Sequence, residues 1–195
     1  MSSYSHIRFV FLDRDGVINQ KAPEGEYVSD WAGFHLLPGV ESAIASLNHS
    51  GRHVIVVSNQ RGIALGRYSR ADVEVLHDRL QRHLAICGAH IDAFYICPHD
   101  KGQCDCRKPK PGLFRQAMRD FPEICAGNCL MIGDSLSDIE AAHSLGFRAI
   151  LIQTDQARSK LELEKAAALA DATAASLLGA VTKYLQENFE VDGPG

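Results

Sequence analysis

Five short apolar runs punctuate the chain: Phe9-Val10-Phe11-Leu12, Val54-Ile55-Val56-Val57, Ala93-Phe94-Tyr95-Ile96, Leu130-Met131-Ile132 and Ala149-Ile150-Leu151-Ile152. None alternates apolar with polar, which is the pattern of strands covered on both faces of a parallel sheet. The stretches between them carry helical spacing instead. Val40, Ala43, Ile44 and Leu47 form one stripe, with Pro38 expected at the start of that helix. Ser69 to Cys87 forms another, placing Val73, Leu76, Leu80 and Leu84 inward, and Ser69 and Asp72 are spaced as a capping box. Leu113 to Phe121 and Leu136 to Leu145 complete a set of strands feeding crossover helices, an α/β pattern.

The region beyond residue 155 differs. Gln156 to Ala175 is rich in Ala, Lys and Glu with weak periodicity, Ser176 to Leu185 reads as a further amphipathic helix, and Glu190 to Gly195 is expected to fray. The chain of 195 residues, with no internal repeat or interdomain linker, is therefore expected to be one domain: a core over 7–155 and a helical closure over 156–189. Its net charge of −4 gives no basic footprint for nucleic acid. The amino terminus lacks a signal-peptide apolar run, and no stretch is long enough to cross a bilayer. A cytoplasmic monomer without a nucleic-acid or membrane partner is the expectation, and a disulfide framework is not.

In parallel sheets ligands bind beyond the carboxyl ends of the strands. Those ends are unusually polar here: Asp13-Arg14-Asp15-Gly16 after the first, Ser58-Asn59-Gln60 after the second, Arg107-Lys108-Pro109 beyond the third, and Gly133-Asp134-Ser135 with Asp138 after the fourth. Carboxylates gathered this closely repel one another unless a cation lies among them. Mg²⁺, a hard oxygen-seeking ion, meets that need, and phosphate suits both the ion and the lysine and arginine. Phosphoryl transfer is thus the leading reaction class. An aspartate can attack phosphorus, and a second carboxyl group two residues away can protonate the departing oxygen and then deprotonate water.

Phe11-Leu12-Asp13-Arg14-Asp15-Gly16-Val17, Ser58-Asn59, Lys108 and Gly133-Asp134-x-x-x-Asp138 resemble, in order, the four motifs of the haloacid dehalogenase superfamily of phosphatases, over about residues 9 to 152. The resemblance implies a three-layer Rossmann-like domain, and no large insertion that could form a cap follows either of the first two strands. It also implies Asp13 as nucleophile and Asp15 as general acid/base. Asp13, the Asp15 carbonyl and Asp134 would be Mg²⁺ ligands, with Ser58 and Lys108 on the phosphoryl oxygens and Asn59 and Arg107 orienting substrate. Cys97-Pro98-His99, Cys104-Asp105-Cys106-Arg107-Lys108-Pro109 and Ser58 to Ala64 are similar to the heptose bisphosphate phosphatase group and to its relative, the histidinol-phosphate phosphatase domain. The implied substrate is a small phosphorylated sugar, the 7-phosphate of a heptose 1,7-bisphosphate, with histidinol phosphate as the alternative. From another class, a non-catalytic zinc-stabilised phosphate-binding module would not need the negative charge of Asp15.

Cys97-x-His99 and Cys104-x-Cys106 supply three thiols and an imidazole, a donor set for a structural tetrahedral Zn²⁺ that pins the loop. Cys106 adjoins Arg107 and Lys108, so zinc there would hold the two cations in place. The four residues between His99 and Cys104 are nearer the short loop of histidinol phosphatases, whereas Gly25-Glu26-Tyr27-Val28 and Gly62 to Gly66 look more like the heptose group. Cys87, Cys125 and Cys129 are expected as apolar fillers. Arg14, Arg61, Arg67 and Lys110 are candidates for the rim of the site.

Overall fold

The computed structural model describes residues 4–23, 25–153 and 160–185. Six strands, β1 (Phe9–Leu12), β2 (His53–Asn59), β3 (Ala93–Cys97), β4 (Cys129–Gly133), β5 (Arg148–Ile152) and β6 (Ala172–Ala174), form one parallel sheet in the order β3-β2-β1-β4-β5-β6. The helices are α1 (Val40–His49), α2 (Arg70–Ile86), α3 (Gly112–Asp120), α4 (Leu136–His143), α5 (Lys160–Leu169) and α6 (Leu177–Ala180), the last running into a π turn over Val181–Leu185.

The unbroken apolar runs are explained by the two cores. Val10 and Leu12, Val54 and Val56, Leu130 and Ile132, and Ile150 and Ile152 face α1, α2 and α6. Their neighbours Phe9 and Phe11, Ile55 and Val57, Met131, and Ala149 and Leu151 face α3, α4 and α5. Successive side chains point to opposite faces of a strand, so burial on both faces demands apolar residues throughout. The chain departs to one side after β1 and to the other after β4. A crevice results where these adjacent strands end, and such a switch point is where open α/β sheets bind ligands. Among the described residues, the connections that rim the crevice, from β1 to α1, β2 to α2 and β3 to α3, contain no large cap.

The capping box is formed: the Ser69 hydroxyl accepts from the Asp72 N–H at 3.2 Å, and the Asp72 carboxylate accepts from the Ser69 N–H at 2.7 Å. Pro38, by contrast, precedes α1, because Gly39 occupies the N-cap in a left-handed conformation, φ 79°. The expected closing helix after Ser176 is present, and Ser176 caps it by accepting from the Gly179 N–H at 3.0 Å. The stretch of weak periodicity contains α5 and the edge strand β6. The boundary near residue 155 and the fraying at Glu190 to Gly195 lie outside the described residues. Cys129 is a buried filler, but Cys87 and Cys125 are exposed, since each lies just beyond the body of its element, at the α2 C-cap and before a single 3-10 turn.

His77 on α2 is buried and stacked on Phe94, ring centroids 4.1 Å apart, and its Nε2 has no hydrogen-bond partner. Burial, reinforced by Arg14, pushes its pKa down to about 3. The unfolded chain therefore binds a proton that the folded chain refuses, so stability declines as pH falls below the ordinary histidine value near 6.5. Relative to His77→Leu, the wild type should lose about 1.4 kcal/mol of unfolding free energy between pH 7.5 and 5.5. Urea titrations at the two pH values measure this, and equal pH slopes for the two proteins would refute it.

Candidate active site

Strands β1 and β4 end side by side, with Leu12 opposite Ile132, so the residues that follow them converge. Asp13, Asp134 and Asp138 bring one carboxylate oxygen each within 4.8 Å of one another. Lys108 penetrates this group from the β3–α3 loop, its Nζ 2.9 Å from Asp13 Oδ1 and 2.6 Å from Asp138 Oδ1, and it also donates to the Val57 carbonyl at 2.7 Å. The lysine is buried at 3% exposure and Asp138 at 0%. Asp138 also accepts from the Ser135 N–H and hydroxyl through Oδ2, so one side chain both caps α4 and holds the lysine.

Positive charge is still scarce there. Burial pushes the Asp13 carboxyl up to about 7 against the pull of Lys108, and Asp138, Asp134 and Asp15 add to the rise. Burial likewise raises Asp134, opposed by its ion pair with Lys21, and its Oδ1 is buried without a hydrogen-bond partner. A hard divalent cation fits this donor set: it would neutralise the carboxylates and engage the orphaned oxygen. Gly16, at φ 97°, lets the chain turn closely past Asp134, where a Cβ would strike the carboxylate.

Asp15 is two residues from Asp13 but in a different environment. Its Oδ1 accepts from Arg14 at 2.9 Å and from Asn19 Nδ2 at 2.9 Å, and its Oδ2 from Arg14 at 3.0 Å and Gln60 Nε2 at 3.1 Å. Burial alone would raise its pKa, but Arg14 together with the Asn19 and Gln60 hydrogen bonds lowers it below the usual carboxylate value. Two aspartates on one turn thus have opposite proton affinities before any ligand is bound, because burial dominates at Asp13 and the surrounding donors dominate at Asp15. A cation among the carboxylates would hold Asp13 as the anion a nucleophile needs.

Ser58 is buried at the end of β2, and its hydroxyl oxygen accepts from Gln60 Nε2 at 2.8 Å. Asn59 clamps Lys108 through the backbone: Lys108 N–H donates to Asn59 Oδ1 and Asn59 Nδ2 donates to the Lys108 carbonyl, both at 3.1 Å. Arg107 carries a buried Nη1 without a partner. The rim expectation fails for Arg14, which is 1% exposed because its guanidinium is committed to Asp15 and the Val28 carbonyl. Arg61 pairs with Asp100 and Lys110 with Asp105. Arg67 lines a cleft of about 330 Å³ with Gly25, Glu26, Tyr27, Ser29 and Tyr68. Sequence reasoning missed Lys21, which carries no motif signal, and gave no role to Asn19. Gln60 stood within the quoted motif without an assigned function.

Cys97, His99, Cys104 and Cys106 also converge. The sulfurs lie 3.3 to 3.5 Å apart, and His99 Nδ1 is 3.3 Å from Cys106 Sγ and 3.8 Å from Cys97 Sγ. A tetrahedral ion bound at zinc distances separates its donors by about 3.3–3.8 Å. The thiols are unpaired by disulfides, and the donor set fits zinc.

Residues 105–180 match the family model described as HAD-hydrolase-like. The D-glycero-alpha-D-manno-heptose-1,7-bisphosphate 7-phosphatase of Mycobacterium bovis is 44% identical over 141 residues, 72% of this chain and 74% of that protein. The D-glycero-beta-D-manno-heptose-1,7-bisphosphate 7-phosphatase of Vibrio cholerae is 41% identical over 154 residues, 74% of this chain and 81% of that protein. The crystal structure of D,D-heptose 1,7-bisphosphate phosphatase from B. bronchiseptica, complexed with magnesium and phosphate, superposes with a TM-score of 0.82 at 31% identity, covering 92% of this chain and 99% of that one. With a sheet that ends in these four motifs and relatives matching along most of their length, the chain belongs to the haloacid dehalogenase superfamily of phosphatases, in the family of the heptose-1,7-bisphosphate 7-phosphatases.

Proposed function

We propose that the protein is a Mg²⁺-dependent phosphomonoesterase that removes the 7-phosphate of D-glycero-D-manno-heptose 1,7-bisphosphate, leaving the 1-phosphate. The reading rests above all on the contrast between Asp13, set in an electron-rich cluster with Lys108, and Asp15, turned into a separate cage of donors. Both donors that hold Asp13, the Arg14 N–H at 2.8 Å and Lys108, engage Oδ1, so Oδ2 is the oxygen that attacks phosphorus. The negative phosphate arriving beside Asp15 raises its proton affinity, so that it takes up a proton from solvent, and the P–O bond to the sugar breaks as Asp15 gives that proton to the departing oxygen. Water, deprotonated by Asp15, then attacks the aspartyl phosphate and frees inorganic phosphate and the Asp13 carboxylate. Lys108 and the Ser58 hydroxyl meet the phosphoryl oxygens, where negative charge resides. Asp13, Asp134 and the Asp15 carbonyl would hold Mg²⁺, which when bound supplies further charge neutralisation at those oxygens.

Zn²⁺ on Cys97, His99, Cys104 and Cys106 would shape the loop that delivers Arg107 and Lys108. We read the chain as one domain, a cytoplasmic monomer acting on a small soluble phosphorylated sugar without nucleic-acid or membrane partners; among the described residues no helix is long and apolar enough to cross a membrane. The short connection between His99 and Cys104 favours histidinol phosphate as the second substrate to test. Phosphate release measured across sugar mono- and bisphosphates, both heptose 1,7-bisphosphate anomers and histidinol phosphate should give the highest kcat/KM for a heptose bisphosphate. A higher value for histidinol phosphate would replace the substrate, and no turnover of any phosphomonoester with Mg²⁺ would overturn the reading.

A further inference from the structure

Behind Asp15 runs a chain of hydrogen bonds that no step above uses. The Tyr68 hydroxyl donates to Gln60 Oε1 at 2.7 Å, and Gln60 Nε2 donates to both Asp15 Oδ2 at 3.1 Å and Ser58 Oγ at 2.8 Å. The direction is fixed at the Asp15 end, because a carboxylate can only accept, which turns the Gln60 oxygen toward the tyrosine. Burial, opposed by Arg14, pushes the tyrosine hydroxyl up to about 12, so it keeps the proton it donates. Gln60 is 1% exposed, which leaves its amide no solvent to turn toward. Position 62 admits only glycine at this approach, since a Cβ there would collide with the Tyr68 ring.

We propose that Tyr68, acting through Gln60, is a positioning residue for the proton-transferring carboxyl group of Asp15. Of the two Asp15 oxygens, Oδ1 accepts from Arg14 and Asn19 and Oδ2 from Arg14 and Gln60, so the Gln60 amide supplies the only contact of Oδ2 outside the Arg14 fork among the described hydrogen bonds. Because that amide also donates to Ser58 Oγ, the Ser58 proton is left for a phosphoryl oxygen. Without the tyrosine hydroxyl, Gln60 Oε1 is a buried acceptor lacking a partner. The amide then rotates to find one, and both of its donor contacts are lost.

This inference rests on the phosphatase reading, and leaving-group chemistry separates the two. A sugar alkoxide needs a proton to depart, whereas p-nitrophenolate does not. Tyr68→Phe keeps the ring against Gly62 and Tyr27 and removes only the hydroxyl. Its kcat for heptose 1,7-bisphosphate should fall about ten-fold more than its kcat for p-nitrophenyl phosphate, with KM little changed. Gln60→Met should fall at least as far, and the double variant no further than Gln60→Met alone. Equal losses on the two substrates, no loss on either, or additive losses in the double variant would overturn the positioning role. A wild type that hydrolyses neither compound would overturn the phosphatase reading and this role with it.

Discussion

Asp13→Asn should abolish phosphate release, lowering kcat on the order of a thousand-fold or more, because the amide cannot form the acyl phosphate. The substitution is close in shape, and its carbonyl oxygen can still accept from the Arg14 N–H that holds Oδ1 at 2.8 Å. Unlike most losses of a buried charge, this one should not weaken the metal-free fold. Burial and the three neighbouring carboxylates already push Asp13 up to about 7, so its anion is poorly tolerated before a cation arrives. Thermal melts without Mg²⁺ should give the variant a Tm equal to or above that of the wild type. Turnover within ten-fold of wild type, about 1.4 kcal/mol in barrier, would remove Asp13 from the nucleophile's role.

The second large effect concerns zinc. Elemental analysis of the purified protein should find about one zinc per chain, bound independently of Mg²⁺. Extracting it, or replacing Cys104 by Ser, should lower phosphatase activity about ten-fold or more. Added Mg²⁺ should not restore the stripped wild type, and added Zn²⁺ should. The reason is mechanical. Cys97 ends β3, Cys106 immediately precedes Arg107 and Lys108, and Lys108 must reach between Asp13 and Asp138 while its backbone pairs with Asn59. A loop whose residues Asp100 to Gln103 contain no apolar side chain has, beyond the pairing of Asp100 with Arg61, little else to fix its course. Full activity of a zinc-free protein would end this account.

What could be read from sequence follows a physical boundary. Strands β1, β2, β4 and β5 were legible because burial on both faces leaves their runs apolar, and the half-buried edge β3 because Ala93 to Ile96 are apolar throughout; the polar residues that follow these runs then announced Asp13, Ser58, Lys108 and Asp134. Strand β6, Ala172–Ala174, is half-buried, and α5 buries only Ala166 fully, so neither carried a hydrophobic signal strong enough to define it. In the site, residues adjacent in sequence were recognisable together, but contacts that depend on folding were not. The pairing of Lys21 with Asp134 and of Gln60 with Asp15 arises only when distant loops meet. Arg14 illustrates the limit most clearly: an arginine in a turn reads as solvent-facing until it is seen buried beneath the partly exposed carboxylate of Asp15.

The cluster draws its side chains from the ends of β1, β2 and β4 and from the β3–α3 loop, while the rim around Arg67 adjoins Gly66 and the partly exposed Leu65. The reacting groups and the Arg67 cleft thus belong to separable parts of the chain. Substitutions at 65 and 67 burden folding little, within about 0.5 kcal/mol for an ordinary surface site, whereas Gly66, at φ 64°, must stay glycine to avoid left-handed strain. Descendants of this sequence can vary that surface by single steps with the reacting groups inherited intact, and a library randomised at positions 65 and 67 would begin from that evolutionary freedom.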